Sequence, residues 1–305
     1  MNRTPNRIDA GLLLVLTPVL WGATFPAAKL GIESVGIFPF MAWTRVVGFL
    51  TILLAIPLIA RKAMTTASLR RAAGPGFLLG TLIFVAYILQ TEGLARTTAT
   101  NAGFITGLYV VFTPILALAL FGQRAGRAAW IAVAVSVLGL ALLSVPGLDD
   151  LRPRSGDLLV LASAVAWAGQ AVAVGRFAAR HPSSVLSLAQ MGTAAGLHLV
   201  ATAWTGLRPG AAAEAWHLLL ITGVLGSGLA YTLQVLAQRE VSATRAVVIL
   251  AGESVAAALF SAIWLGERLL IHQWIGAAIV LGSMGLSELG ARRAAALRLD
   301  PGAAL

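Results

Sequence analysis

The chain has 305 residues, 58% of them hydrophobic and 11% charged, with a formal net charge of +10 and no cysteine. Typical soluble domains carry about 25% charged residues, so this composition excludes an ordinary soluble core and points to membrane spans. The missing cysteines exclude disulfides, thiol chemistry and Cys-based metal sites, and the basic residues lie in short segments between apolar runs rather than in one stripe or arm, which argues against nucleic-acid binding.

Ten apolar segments follow one another, at residues 8–28, 37–60, 74–92, 98–121, 128–146, 157–178, 184–205, 215–237, 243–265 and 272–290. Each is near the roughly 20 residues that a helix needs to cross hydrocarbon. The first follows a basic N-terminus that resembles a signal peptide, but it runs on through Trp21, Gly22 and Pro26 to Lys29 and is read as a retained span. Trp21 lies mid-segment, away from the interfacial belts, where an indole offers a flat apolar wall and one donor. Thr24 is a further polar group on the same segment, and Pro18 and Pro26 can kink it.

The second segment carries Arg45 about eight residues in, roughly 12 Å deep at 1.5 Å per residue. A guanidinium does not deprotonate, so it needs an anion or several carbonyls. Three readings are open: a substrate carboxylate, an acidic side chain, or a structural tie to backbone carbonyls at the ends of broken helices. The third segment ends with Tyr87 and Gln90, three apart and so on one face. The fourth holds Asn101, Tyr109 and Pro114, and the sixth holds Trp167 and Gln170. His198 lies deep in the seventh, with no His or carboxylate at metal spacing, and no metal or other cofactor is expected. The eighth ends with Tyr231 and Gln234, and the ninth carries Glu253 about eleven residues in, close to the midplane. Desolvation disfavours the charged form of a carboxyl, so Glu253 is a proton-coupling candidate as a cavity dries and wets, or a partner for a cationic group. Gly76–Gly80, Gly103–Gly107 and Gly192–Gly196 are small-xxx-small pairs expected to let helices approach.

The same block occurs twice, at an offset of about 144 residues. Tyr87 and Gln90 fall on Tyr231 and Gln234, Ala99 and Thr100 on Ala243 and Thr244, Trp130 and Ile131 on Trp274 and Ile275, and Tyr109 on Glu253. A looser match puts Trp21 on Trp167. With the N-terminus in the cytoplasm, Lys and Arg gather on the inner side, including Arg61, Lys62, Arg70, Arg71, Arg124, Arg176, Arg180 and Arg239, and leave few outside, including Lys29, Arg96, Arg152, Arg154, Arg208 and Arg268. That sorting supports ten spans, five per half, with the halves in opposite orientation and both termini cytoplasmic. The expected architecture is all-α integral membrane: a first five-helix repeat over 1–146, an outer linker over 147–156, a second five-helix repeat over 157–290 and a poorly ordered cytoplasmic tail over 291–305. Inversion places Tyr87 and Gln90 toward the outer mouth of one pathway and Tyr231 and Gln234 toward the inner mouth.

WGATFPAAK from Trp21, TATNAGFITGLYVVFTP ending at Pro114, and SATRAVVILAGESVAAALFSAIWLGERL followed by HQWIGAAIVLGSMGLSE carry a resemblance. Over nearly the whole chain they resemble the EamA-type branch of the drug/metabolite transporter superfamily. The resemblance implies ten helices, a cavity lined by helices 1–4 and 6–9, peripheral helices 5 and 10, and export of small metabolites, often amino acids or toxic compounds. One departure is Gly122-Gln123-Arg124, with Gln where the second half has Glu267. The expected function is secondary active export of a small organic metabolite, an amino acid or amphipathic drug, by alternating access. An exchanger or importer of the same fold is the alternative, and an integral-membrane enzyme ranks below both because no His-Glu-x-x-His, Gly-x-Ser-x-Gly or Walker motif occurs. Expected partners are membrane lipid, the solute and, as coupling ion, protons, in a cell inner membrane protein that is a monomer or weak homodimer.

Overall fold

Hydrocarbon offers no partner to a free N–H or C=O, so a spanning segment must close its hydrogen bonds on itself. The computed structural model describes residues 10–97, 99–144, 154–206, 210–266 and 268–299, with side chains for all of these but 58, 59, 99–101, 211 and 294–299. Among the described residues there are helices and no strands, and ten helices are long and apolar enough to cross a membrane. Spans 1 to 5 are Ala10–Val35, Ile37–Pro57, Thr66–Leu94, Ala102–Phe121 and Arg127–Ser144; spans 6 to 10 are Asp157–Phe177, Ser183–Thr205, Trp216–Ala237, Ala243–Leu265 and Ile271–Arg293. This is a multi-pass membrane protein. Arg152 and Arg208 in the outer links, and Glu267 in the turn before span 10, lie outside the described residues.

Four local features depart from the hydropathy pattern. Span 3 starts at Thr66 rather than near residue 74, because Thr65 and Ser68 form a reciprocal capping box that starts the helix among polar residues. Spans 4 and 9 are each broken at matching places. The helix Ala99–Gly107 gives way to Tyr109–Phe121 at Leu108, and Ala243–Leu250 gives way to Gly252–Leu265 at Ala251. Both breaks use shorter, three-residue hydrogen bonds: Val111 N–H to Leu108 O at 2.8 Å and Ser254 N–H to Ala251 O at 3.2 Å. Span 8 opens into a π-helix over Ile221–Ala230 before closing as Tyr231–Ala237. The last helix runs from Ile271 to Leu299, through the first part of the expected tail, where an Ala-rich stretch favours helix.

The packing is an exchange between halves. Span 1 lies on span 9 and span 6 on span 4; span 3 lies on spans 6 and 7, and span 8 on spans 1 and 2. Each of these contacts is its partner's copy with the two halves interchanged. Spans 2 and 7, 4 and 9, and 5 and 10 meet their own counterparts. Several of these crossings are too close for side chains. A Cβ on Gly22 would stand 2.3 Å from Ala256 Cβ and 2.6 Å from the Ala257 backbone N; one on Gly80 would stand 2.4 Å from Gln190 O. Of the small-xxx-small pairs, Gly76–Gly80 meets span 7 in this way, whereas a Cβ on Gly196 would face open space. Trp204, Trp216, Trp264 and Trp274 are exposed near span ends, as interfacial anchors are.

Close approach makes a test. Gly22→Val would force spans 1 and 9 apart and should cost about 1–3 kcal/mol or more. It is expected to lower the melting temperature of the detergent-purified protein by several degrees, while Gly196→Ala leaves it unchanged. Equal melting temperatures for the two variants would contradict the packing.

Candidate functional site

Spans 1, 2, 3, 4, 6, 8 and 9 surround a cavity of about 580 Å³, within the usual range for small-molecule sites. Every site candidate from the sequence lines it except Asn101, whose side chain lies outside the described residues. Span 7, which the family resemblance places on the wall, contributes no lining residue. It packs behind spans 2 and 3, so its polar face is buried by helices rather than open to solute. His198 belongs to that face: its Nδ1 lies 2.7 Å from Ala194 O and its ring meets Phe84 edge-on at 5.0 Å.

Arg45 is 3% exposed. Its Nη1 donates to Ser227 Oγ at 2.7 Å, its Nη2 approaches Met41 Sδ at 3.7 Å, and the guanidinium lies 4.1 Å from the centre of the Tyr87 ring. Its Nε is buried without a partner. The tie is therefore to a hydroxyl, a thioether and a ring, not to backbone carbonyls. No carboxylate among the described residues pairs with it. A buried cation with only neutral partners is costly by several kcal/mol, which a bound anion would offset.

Ser227 can reach Arg45 because spans 2 and 8 nearly touch. A Cβ on Gly48 would stand 2.4 Å from Ser227 Cβ, and one on Gly223 would stand 2.5 Å from Val47. The π-helix also presents Gly226 O, to which Trp21 Nε1 donates at 3.1 Å. Trp21 thus spends its donor on structure and offers solute its apolar face. Thr24 likewise bonds back to Trp21 O at 2.7 Å.

Aromatic rings form the middle of the wall. Trp21 meets Tyr231 edge-on at 5.0 Å, Tyr87 meets Trp167 edge-on at 4.9 Å, and all four pack on one apolar cluster with Ile83 and Met191. This differs from the expectation of separate mouths for the two Tyr–Gln pairs. Tyr87 lies about two turns in from the end of span 3 at Leu94 and Tyr231 about two turns in from the end of span 8 at Ala237, so both rings reach the middle of the bundle and pack on the same cluster. The glutamines do separate: Gln90 Nε2 donates to Thr106 Oγ1 at 3.1 Å, and Gln234 exchanges hydrogen bonds with Gln170 at 3.2 and 3.4 Å, both fully buried.

Glu253 is the second residue of the half-helix Gly252–Leu265, and its repeat-mate Tyr109 opens the half-helix Tyr109–Phe121. Both side chains reach the cavity. Glu253 has no hydrogen bond or ion pair among the described residues. Its position at a helix N-terminus favours its charged form, and the low dielectric opposes it.

The cavity is open at one end only. Lys29, Ile32, Glu33, Ile37, Thr91 and Leu94 line it out to the last turns of spans 1 and 3. Toward the other end Leu13, Leu14, Val241, Ala246, Ile249 and Leu250 fill the space. Beyond them Arg245 pairs with Glu288, which also holds Arg292 at 3.3 Å. Ser227, Thr44 and Thr222 are lining residues that the sequence reading passed over. The glycines Gly223, Gly226 and Gly228 around Ser227 were their signal, since Gly223 and Gly228 permit the close contact with span 2 that brings these residues together.

The family model of the EamA-like transporter family matches the chain twice, over residues 9–145 and 154–288. An "uncharacterized transporter" of Archaeoglobus fulgidus is 30% identical over 276 residues, 90% of this chain and 84% of that protein. Inner membrane protein YtfF of Escherichia coli is 27% identical over 57% of each chain. A "probable terminal-alkyne amino-acid exporter" of Streptantibioticus cattleyicolor is 28% identical over half of each chain. One crystal structure superposes with a TM-score of 0.79 at 20% identity, over 93% of this chain and 98% of its own, which shows the shared fold.

If the neutral partners of Arg45 leave its charge uncompensated, an apolar side chain of similar length should be tolerated or better. Replacing buried ionic groups by apolar ones is often neutral or stabilising by about 1–4 kcal/mol. Arg45→Met is expected to melt at or above the temperature of the parent protein and to lose the stabilisation that a carboxylate-bearing solute gives the parent. A large drop in melting temperature would mean that Arg45 serves the fold instead.

Proposed function

The chain belongs to the EamA-like transporter family, and we propose that it is a secondary transporter exporting a small zwitterionic solute of the amino-acid class by alternating access. One observation carries the solute class: a buried guanidinium and a carboxyl, Arg45 and Glu253, face the same cavity and neither has a partner of opposite charge among the described residues. A solute with a carboxylate and an ammonium group would compensate both. The apolar faces of Trp21, Trp167, Tyr87 and Tyr231 would hold an aliphatic or aromatic side chain. The name of the Streptantibioticus relative supports the class and the direction.

Placing both termini in the cytoplasm follows from the Lys/Arg bias and makes the open end the outer one. The conformation is then outward-open, the state in which an exporter releases solute. On this reading the protein sits in the cell inner membrane and is not an enzyme. Glu253 is the coupling group: it takes a proton from outside when solute leaves and gives it up inside when solute binds. A second reading has one observation in its favour. Four aromatic rings around a carboxylate suit an amphipathic cation, although Arg45 in the same cavity would repel it.

Two measurements divide these readings. Proteoliposomes holding the purified protein are expected to exchange a labelled neutral amino acid with an apolar side chain, and not its methyl ester, and Arg45→Met should lower that exchange by at least about tenfold, the loss of a charged hydrogen-bonded contact. Transport of the ester and not the acid would favour the amphipathic cation. For coupling, Glu253→Gln is expected to exchange more weakly, for want of the ammonium's partner, and to lose accumulation driven by a pH gradient altogether. Undiminished proton-driven accumulation in Glu253→Gln would remove that role.

A further inference from the structure

A second cavity, of about 270 Å³, lies at the closed end of the bundle, between the turn joining spans 2 and 3 and the turn joining spans 6 and 7. Lys62, Arg71, Arg180 and His181 line it, with Ala63, Pro182 and the capping hydroxyls of Thr65 and Ser68. The hydroxyls are engaged in the capping box and in bonds to Ala63 O and Thr65 O, so the free chemistry of the site is cationic. Among the described residues no carboxylate pairs with Lys62, Arg71 or Arg180. The field they make is visible in His181, whose imidazole is held below its ordinary range by burial and then by Arg180 and Arg71.

The Lys/Arg bias of the inner side supplies a basic face; what sets these three apart is that Lys62 from the span 2–3 turn, Arg71 from the start of span 3 and Arg180 from the span 6–7 turn line one cavity. Position decides between anions. The cavity sits at the ends of four spans, where apolar helix surface gives way to polar turns, at the level of lipid headgroups. The side chains of Leu69, Leu78 and Phe77 on span 3 are exposed along the adjoining helix, as acyl-chain contacts would be.

We propose that this basic cavity binds the phosphate of an anionic phospholipid headgroup, held by Lys62, Arg71 and Arg180. An arginine fork suits phosphate oxygens, and a lysine adds a mobile point charge. Juxtamembrane basic pockets of this kind draw anionic lipid out of the surrounding bilayer. The bound lipid would bridge the ends of spans 2, 3, 6 and 7, two helices from each half, and so fix the closed end.

The test compares two variants of equal charge change on the same helix ends. Lys62→Ala/Arg71→Ala removes two cavity bases; Arg61→Ala/Arg70→Ala removes two neighbours that do not line it. Full-length protein is titrated with phosphatidylglycerol, with phosphatidylcholine and with inorganic phosphate, and bound lipid is counted by native mass spectrometry. The parent and the Arg61/Arg70 variant are expected to retain phosphatidylglycerol over phosphatidylcholine, and the Lys62/Arg71 variant to lose about tenfold in affinity. Equal loss in both variants would mean diffuse attraction to a basic face and overturn the site. No loss in either, or no preference for phosphatidylglycerol in the parent, overturns it as well. If inorganic phosphate displaces phosphatidylglycerol and binds as tightly alone, the lipid assignment fails in favour of a free phosphate. Bound lipid, not transport, is the readout, so failure here is separable from failure of the solute reading.

Discussion

A charge in hydrocarbon must be met by protein, and the centre of this bundle is organised around meeting one. Arg45 is placed on span 2 where water cannot solvate it, and its contacts draw in two other helices and, through Tyr87, a third. Reaching Ser227 requires spans 2 and 8 to approach within backbone contact, which only Gly48, Gly223 and Gly228 permit. Holding Tyr87 under the guanidinium fixes span 3, and the edge of Tyr87 on Trp167 fixes span 6. The π-helix belongs to the same arrangement: its wider turns carry Ser227 toward Arg45 and Gly226 O toward the Trp21 indole. Insertions of this kind cluster at functional sites. None of these contacts neutralises the charge. Fold stability alone would be served by an apolar side chain here, so the retained cation is better explained by something that enters the cavity.

Symmetry between the halves explains the frame, and its breaks explain the state. The packing is preserved when the halves are exchanged, yet several paired positions carry different chemistry. Tyr109 stands opposite Glu253, so the two broken spans bring one carboxyl to the cavity instead of two or none; the other lining carboxyl, Glu33, lies at the open end. Arg245 and Glu288, which tie span 9 to span 10 at the closed end, correspond to Asn101 and Ser144 in the first half, neither of them charged. The pair stands at the end that is closed, and the repeat supplies no equivalent pair at the end that is open.

Span number, the repeat and the identity of the polar groups facing the cavity were legible in the sequence because each rests on patterns of period or composition. Hydropathy locates spans, self-similarity locates the repeat, and a polar side chain in an apolar run is costly unless it meets another polar group or a cavity. Other features were not legible. The π-helix keeps the same residues as an α-helix and changes only which carbonyl each N–H meets. The breaks at Leu108 and Ala251 fall in apolar sequence, and only span 4 has a nearby proline, Pro114; the sequence offers no such cause in span 9. That Tyr87 and Tyr231 share one cluster depends on how far two large rings reach from spans 3 and 8 toward the bundle centre, which depth along each span does not encode. That span 7 lies behind the wall depends on which helices cross in front of it, a tertiary fact that no single span encodes.

The inverted repeat also constrains how the closed end could open. On the alternating-access reading, the opposite state arises when the halves exchange conformations, so each group sealing the closed end has a counterpart that must seal the open one. Ala246, Ile249 and Leu250 are in the present seal, and their counterparts are Ala102, Ile105 and Thr106. Two of these three, Ala102 and Thr106, now line the open cavity. Thr106 stands where the other half has Leu250, and it is already bonded to Gln90, the counterpart of Gln234. The outer seal would therefore be partly polar where the inner one is apolar. A polar seal rewets at lower cost than an apolar one, because its groups can exchange each other for water. On that reading, a seal that is apolar on one side and hydrogen-bonded on the other would make the state with the span 1–2 end open the resting one, and would leave the energy of solute binding to Arg45 and Glu253 as the means of leaving it.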